Sequence, residues 1–228
     1  MVMAEATNHY FKHLGVSDGL SQVCIPSIYQ DELGAVWLGT TEGLNRYNGK
    51  DVKVFQPSES NHGLTNNEIN ELCGDKNGRM YIRSGNDLIK LDIYTEQFTC
   101  LRQKGVYGLF CKKDTLWVSC ADGIYYYTGQ GTELTFFARV QKGFVGRALY
   151  VDKETVWVVT RKYLVAISRE DPLRQEILLT LDKGNCILGD SSGNIWVGAW
   201  NGLVIREWVN YPIIRSDACW KMILSIFG

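Results

Sequence analysis

Histidine is scarce in this chain of 228 residues. There are three, His9, His13 and His62, and none belongs to a repeated pattern, so histidine-centred acid–base or metal chemistry has little to work with. No Gly-x-Ser-x-Gly, His-Glu-x-x-His or phosphate-binding loop occurs, which removes the common hydrolase, metalloprotease and nucleotide-binding signatures. Charge of one sign is missing as well: 24 Lys+Arg stand against 25 Asp+Glu, so the electrostatic footprint of a nucleic-acid partner is absent. No apolar run approaches the length of a bilayer span. The opening MVMAEATNHY lacks the basic start and apolar centre of a secretion signal. Two readings of that stay open, a cytosolic chain or one that begins after a removed signal.

Proline is limited to four residues. The seven cysteines (Cys24, Cys73, Cys100, Cys111, Cys120, Cys186 and Cys219) are odd in number and contain no Cys-x-x-Cys pair. Neither a zinc ribbon nor a redox motif is supported. We read most of them as small buried strand residues, which leaves the compartment unspecified.

What the chain does have is repetition. Trp37, Tyr81, Trp117, Trp157 and Trp196 recur 36 to 44 residues apart. Seven residues after each comes an aliphatic: Leu44, Leu88, Ile124, Leu164 and Leu203. Eight or nine residues before each comes another: Ile28, Leu72, Leu109, Leu149 and Ile187. An Asp-x-x-Gly turn precedes the aromatic in modules one, two and five (Asp31/Gly34, Asp75/Gly78, Asp190/Gly193) and is one residue shorter in modules three and four. Short apolar runs between Gly and Asp/Asn clusters read as strands joined by tight turns. A period near 40 residues with about four strands marks propeller blades.

The expected fold is therefore all-β, a β-propeller built from about five four-stranded blades. The array occupies residues 1–208, with modules near 23–56, 69–101, 107–138, 147–181 and 185–208, and residues 209–228 form a divergent apolar tail. Tyr10 to Val16 reads as a lone strand that would complete the last blade and cover its edge. The aromatic and aliphatic columns are expected to form the core between blades. The Asp turns are explained by side-chain-to-backbone hydrogen bonding, without a metal.

Three stretches carry a resemblance. GLSQVCIPSIYQDELGAVWLGTTEGLNRYNGKDVKVF closely resembles the two-component regulator propeller repeat, GLTNNEINELCGDKNGRMYI matches its lead-in, and CILGDSSGNIWVGAWNGLVI matches it again. The likeness runs to about Trp208. It implies the N-terminal periplasmic sensor region of a Bacteroides-type hybrid sensor histidine kinase, a part associated with detecting polysaccharide breakdown products. Family propellers usually have seven blades, followed by membrane, kinase and often receiver and DNA-binding parts that are not visible here. The resemblance thus implies a non-catalytic sensor with an oligosaccharide ligand and a periplasmic location.

A ligand site is expected on the face where the loops between strands two and three meet the linkers between blades. There Arg83 replaces the Gly of Gly39 and Gly198, Arg161 stands where Thr41 and Ala121 stand, and Trp200 takes that same column. Trp and Arg can stack on and hydrogen-bond to a sugar, so these three are the expected binding residues. No cofactor, metal, catalytic residue or membrane segment is expected. The alternative is a structural propeller fragment that mediates association, including homo-oligomers through open blade edges.

Overall fold

The computed structural model describes residues 13–57, 63–200 and 202–205. Each module carries one antiparallel sheet whose strands pair in chain order. Blade one holds β1 (Ser27–Gln30), β2 (Val36–Thr40), β3 (Gly43–Tyr47) and β4 (Val52–Phe55). Blade two holds β5 (Ile69–Gly74), β6 (Arg79–Ser84), β7 (Asp87–Asp92) and β8 (Gln97–Arg102). Blade three holds β9 (Val106–Lys112), β10 (Thr115–Cys120), β11 (Gly123–Tyr127) and β12 (Thr135–Ala138). Blade four holds β13 (Gly146–Val151), β14 (Thr155–Thr160), β15 (Tyr163–Ser168) and β16 (Gln175–Thr180). Blade five shows β17 (Cys186–Gly189), β18 (Ile195–Ala199) and β19 (Gly202–Ile205).

The first strands β1, β5, β9, β13 and β17 lie side by side in that order, as the inner strands of a propeller do. Among the described residues no strand of blade five pairs with blade one, so the five sheets form an open arc.

Four apolar clusters fill the four boundaries between blades. In each, the aromatic of one blade meets the aliphatic column of the next: Trp37 with Leu72, Tyr81 with Leu109, Trp117 with Leu149, and Trp157 with Ile187. The aromatics at these boundaries are buried, as expected of an inter-blade core. Burying one such side chain is worth roughly 1.5–3 kcal/mol. The ends of the arc behave differently. Leu72, Leu109 and Leu149 are 7%, 5% and 3% exposed, whereas Ile28, their counterpart in blade one, is 63% exposed. At the other end Trp196 is only half-buried.

The Asp turn orients the ring. Asp31 Oδ1 accepts the backbone N–H groups of Leu33 (3.0 Å) and Ala35 (2.9 Å), and its Oδ2 accepts the Trp37 indole N–H at 2.7 Å. Asp152 holds Trp157 (2.7 Å) and Asp190 holds Trp196 (2.9 Å) in the same way. The indole of Trp196 and the side chain of Asn194 keep the Asp190 carboxyl at about 2, below its ordinary value. In blade two Tyr81 has no indole, and Arg79 takes the second oxygen of Asp75 instead. In blade three Lys112 occupies the Asp position and donates to the Val151 carbonyl at 2.6 Å.

Two expectations need correction. In the strand expected over Tyr10–Val16, residues 10–12 lie outside the described residues, and His13 to Gly15 are not extended into a strand. Val16–Asp18 is a 3-10 turn closed by Asp18 N–H to Gly15 O (3.0 Å) and Gly15 N–H to Asp18 Oδ2 (2.9 Å). That local side-chain bond offers the backbone an alternative to a sheet ladder. In the module expected from residue 23, the first strand begins only at Ser27, because Pro26 has no N–H to give the ladder. The segment expected as the tail, 209–228, lies outside the described residues.

If inter-blade seating holds the array together, the same truncation must cost different amounts along one column. Leu109→Ala and Leu149→Ala are expected to lose about 2–5 kcal/mol in urea unfolding, and Ile28→Ala less than about 0.5 kcal/mol. Equal losses at all three positions would refute that account.

Candidate functional site

Two residues ahead of the aliphatic column, every first strand or its approach places a residue toward the axis: Pro26, Asn70, Tyr107, Arg147 and Asn185. Its chemistry changes from blade to blade, as does that of the next column, Ser27, Glu71, Gly108, Ala148 and Cys186. Together with Glu71 and Arg83, the column from Pro26 to Asn185 lines an axial cleft of ≈1040 Å³. Such a volume is at the upper end for small-molecule sites.

Glu71 and Arg83 are cross-strand partners on β5 and β6. Arg83 Nε donates to Glu71 Oε2 at 3.3 Å, and its Nη1 donates to the Gly85 carbonyl at 3.3 Å. The same Oε2 accepts the Leu109 backbone N–H of blade three at 3.1 Å. Glu71 therefore joins two blades while its side chain stays 29% exposed to the cleft. Crowding by the surrounding blades raises its carboxyl from the ordinary 4.5 to about 7, against the opposing pull of Arg83 and the Leu109 N–H.

A second cavity of ≈360 Å³ is lined by Phe144, Val145, Thr160, Arg161 and Lys162, and it shares Tyr107 and Arg147 with the cleft. It lies where strand-two-to-three turns meet inter-blade linkers. Gly184 N–H donates to Arg161 O (3.0 Å), Leu181 N–H to Lys162 O (2.6 Å) and Trp200 N–H to Asp182 O (2.8 Å).

The three residues expected from sequence thus fall in different places. Arg83 lines the cleft, paired to Glu71, and Arg161 lines the side cavity. Trp200 is 71% exposed outside both, with Lys183 Nζ 4.7 Å from its ring centroid. Arg147 and Glu71 were not anticipated. Their signal was present, in the variable column two residues before the aliphatic and in the opposite charges placed across β5 and β6. His13 is exposed and lines neither cavity; His9 and His62 lie outside the described residues.

The fold and the axial cleft define a β-propeller repeat protein. Residues 19–42 match the family described as two component regulator propeller. A curated relative, histidine kinase P4 of Formosa agariphila, is 40% identical over 53 residues, which is 23% of this chain and 4% of the relative. Among solved structures, the extracellular domain of a putative hybrid two component system from B. thetaiotaomicron superposes with a TM-score of 0.76 at 22% identity, over 89% of this chain and 31% of that one. A second such domain from the same organism gives 0.54 at 18% identity, over 88% and 34%. Virginiamycin B lyase from Staphylococcus aureus gives 0.61 at 12% identity, over 84% and 72%, a likeness of fold alone. The chain spans about a third of the two extracellular domains and a small fraction of the kinase.

The raised Glu71 carboxyl has a consequence for stability. The folded state holds this proton more tightly than the unfolded chain, so its contribution is fully present below about 4.5 and is lost as pH rises through about 7. Glu71→Gln keeps an acceptor for Leu109 and removes the titration. Unfolding free energy of the wild type relative to that variant is expected to fall by about 1–3 kcal/mol between pH 4.5 and 8. A flat difference across that range would contradict the assignment.

Proposed function

We propose that this chain is the propeller portion of a two-component sensor, working outside the cytoplasm, and that its axial cleft receives a carbohydrate breakdown product. The observation that carries this reading is the column lining the cleft two residues before the aliphatic one, polar or aromatic in four of five blades. The repeat match over residues 19–42 and the likeness to extracellular domains of hybrid two-component systems support the sensor part.

The chemistry suits a hydroxylated ligand. Sugar hydroxyls both donate and accept, and the cleft offers both sides: the Glu71 carboxylate accepts, Arg147 donates, and the Asn70 and Asn185 amides do either. Charge-assisted bonds from a guanidinium are the stronger kind. The Tyr107 ring at the junction with the side cavity supplies a flat apolar surface for a sugar face. Arg161, which also lines that cavity, would meet an extension of the same ligand. The ligand is bound here, and its chemistry is left unchanged.

Calorimetric titration with neutral and acidic oligosaccharides tests the assignment. At least one is expected to bind the wild type, with affinity lowered 10-fold or more by Arg147→Ala and by less in Arg161→Ala. Heat from none of the panel would overturn the carbohydrate reading.

A second reading has its own observation, the uncovered Ile28 face at one end of the arc and the half-buried Trp196 at the other. An uncovered blade face of this kind suits association with a further blade or a second copy. Light scattering is expected to show concentration-dependent dimers that Ile28→Asp abolishes. A monomer at every concentration would remove this reading and leave the first untouched.

A further inference from the structure

The thiols of Cys73 and Cys111 meet across the boundary between blades two and three, Sγ to Sγ at 2.8 Å. Cys73 lies on β5 opposite Tyr81, and Cys111 on β9 opposite Leu116. Equivalent register positions meet at the other boundaries with different contents. Between blades one and two, Tyr29 (opposite Trp37) lies over Gly74, where an added Cβ would collide with the tyrosine ring. Between blades four and five, Tyr150 (opposite Trp157) lies over Gly189 with the same exclusion. At those boundaries a large ring faces a residue without a side chain. At the boundary between blades two and three, two small thiols take the place of ring and glycine and point at each other. Both pack against the cluster of Tyr81, Leu109 and Leu116.

We propose that Cys73 and Cys111 close into a disulfide under oxidising conditions and staple blade two to blade three. Closure is thiol–disulfide exchange with a disulfide donor. The Cys111 thiolate attacks one donor sulfur and releases the other as a thiolate, and the Cys73 thiolate then attacks Cys111 Sγ and displaces the rest of the donor. One S–S bond forms in the protein and one breaks in the donor. The two electrons leave the cysteines, and their two protons end on the released donor thiols. The bridge closes a loop of 38 residues, long enough for a sizeable constraint on the unfolded chain. Burial, with Cys111 alongside, holds the Cys73 thiol well above its ordinary value, so exchange quickens as pH is raised. The inference is independent of what the cleft binds. It suits a chain exposed to an oxidising compartment.

The test uses the native chain incubated with oxidised glutathione at mildly alkaline pH, then alkylated and digested without reduction. The expected result is a linked peptide pair containing Cys73 and Cys111, an intact mass lower by two hydrogens, and a Tm raised by about 5–15 °C that returns on reduction. The double variant Cys73→Ser with Cys111→Ser is expected to keep the reduced Tm and to show no oxidant-dependent rise. Recovery of both cysteines alkylated or carrying glutathione would overturn the proposal, and so would a linked pair with no change in Tm.

Discussion

The structure depends on one contact made four times: the aromatic ring of a blade seated on the aliphatic residue that the next blade's inner strand presents. A four-stranded sheet has two faces to bury and cannot do so alone. Placing a ring on one face and an aliphatic on the other lets each blade cover its successor, and the arrangement extends along the chain without a special centre. The Asp turn makes the seating reproducible, because one carboxylate closes the turn and holds the indole N–H that sets the ring's angle. Where the indole is missing in blade two, or the Asp in blade three, the ring still packs. The apolar seat is therefore the primary contact and the hydrogen bond its guide.

The seat also explains why the cleft-lining residues stand where they do. From blade two onward the aliphatic column must stay apolar, since Leu72, Leu109, Leu149 and Ile187 lie in the cores of the four boundaries. Two residues earlier the strand lines the axial cleft. Sequence there is free to vary, and it does, from Pro26 through Asn70 and Tyr107 to Arg147 and Asn185. Scaffold and site share the same strands and are separated by one repeat of the pleat.

The boundary between blades two and three differs from the rest. It carries the Glu71–Arg83 pair, the bond from the Leu109 N–H to Glu71, and the Cys73–Cys111 contact. Blades one and two, and blades four and five, meet at the same place through a ring over a glycine. Polar and thiol groups at a boundary respond to pH and redox state, whereas a ring over glycine does not. Glu71 both faces the cleft and ties this boundary, so occupancy of the cleft and the fit of two blades draw on one carboxylate.

Local pattern alone was enough for the blades. The spacing from Ile28 to Trp37 to Leu44, recurring along the chain, encodes strand, turn and strand within one short stretch, and such periodicity survives in a linear text. Arg83 and Arg161 were legible as departures from that pattern at known places on a blade. The ends were harder: Val16–Asp18 turned on a bond from Gly15 to Asp18 that apolar patterning does not display. What no linear reading could decide was which blades meet and at what angle. Only the packed arc brings Arg147 between two cavities, sets Glu71 against Leu109 of another blade, and points Cys73 at Cys111. Each of these depends on groups about a repeat or more apart in the chain, whose separation is fixed by how sheets stack and not by the residues between them.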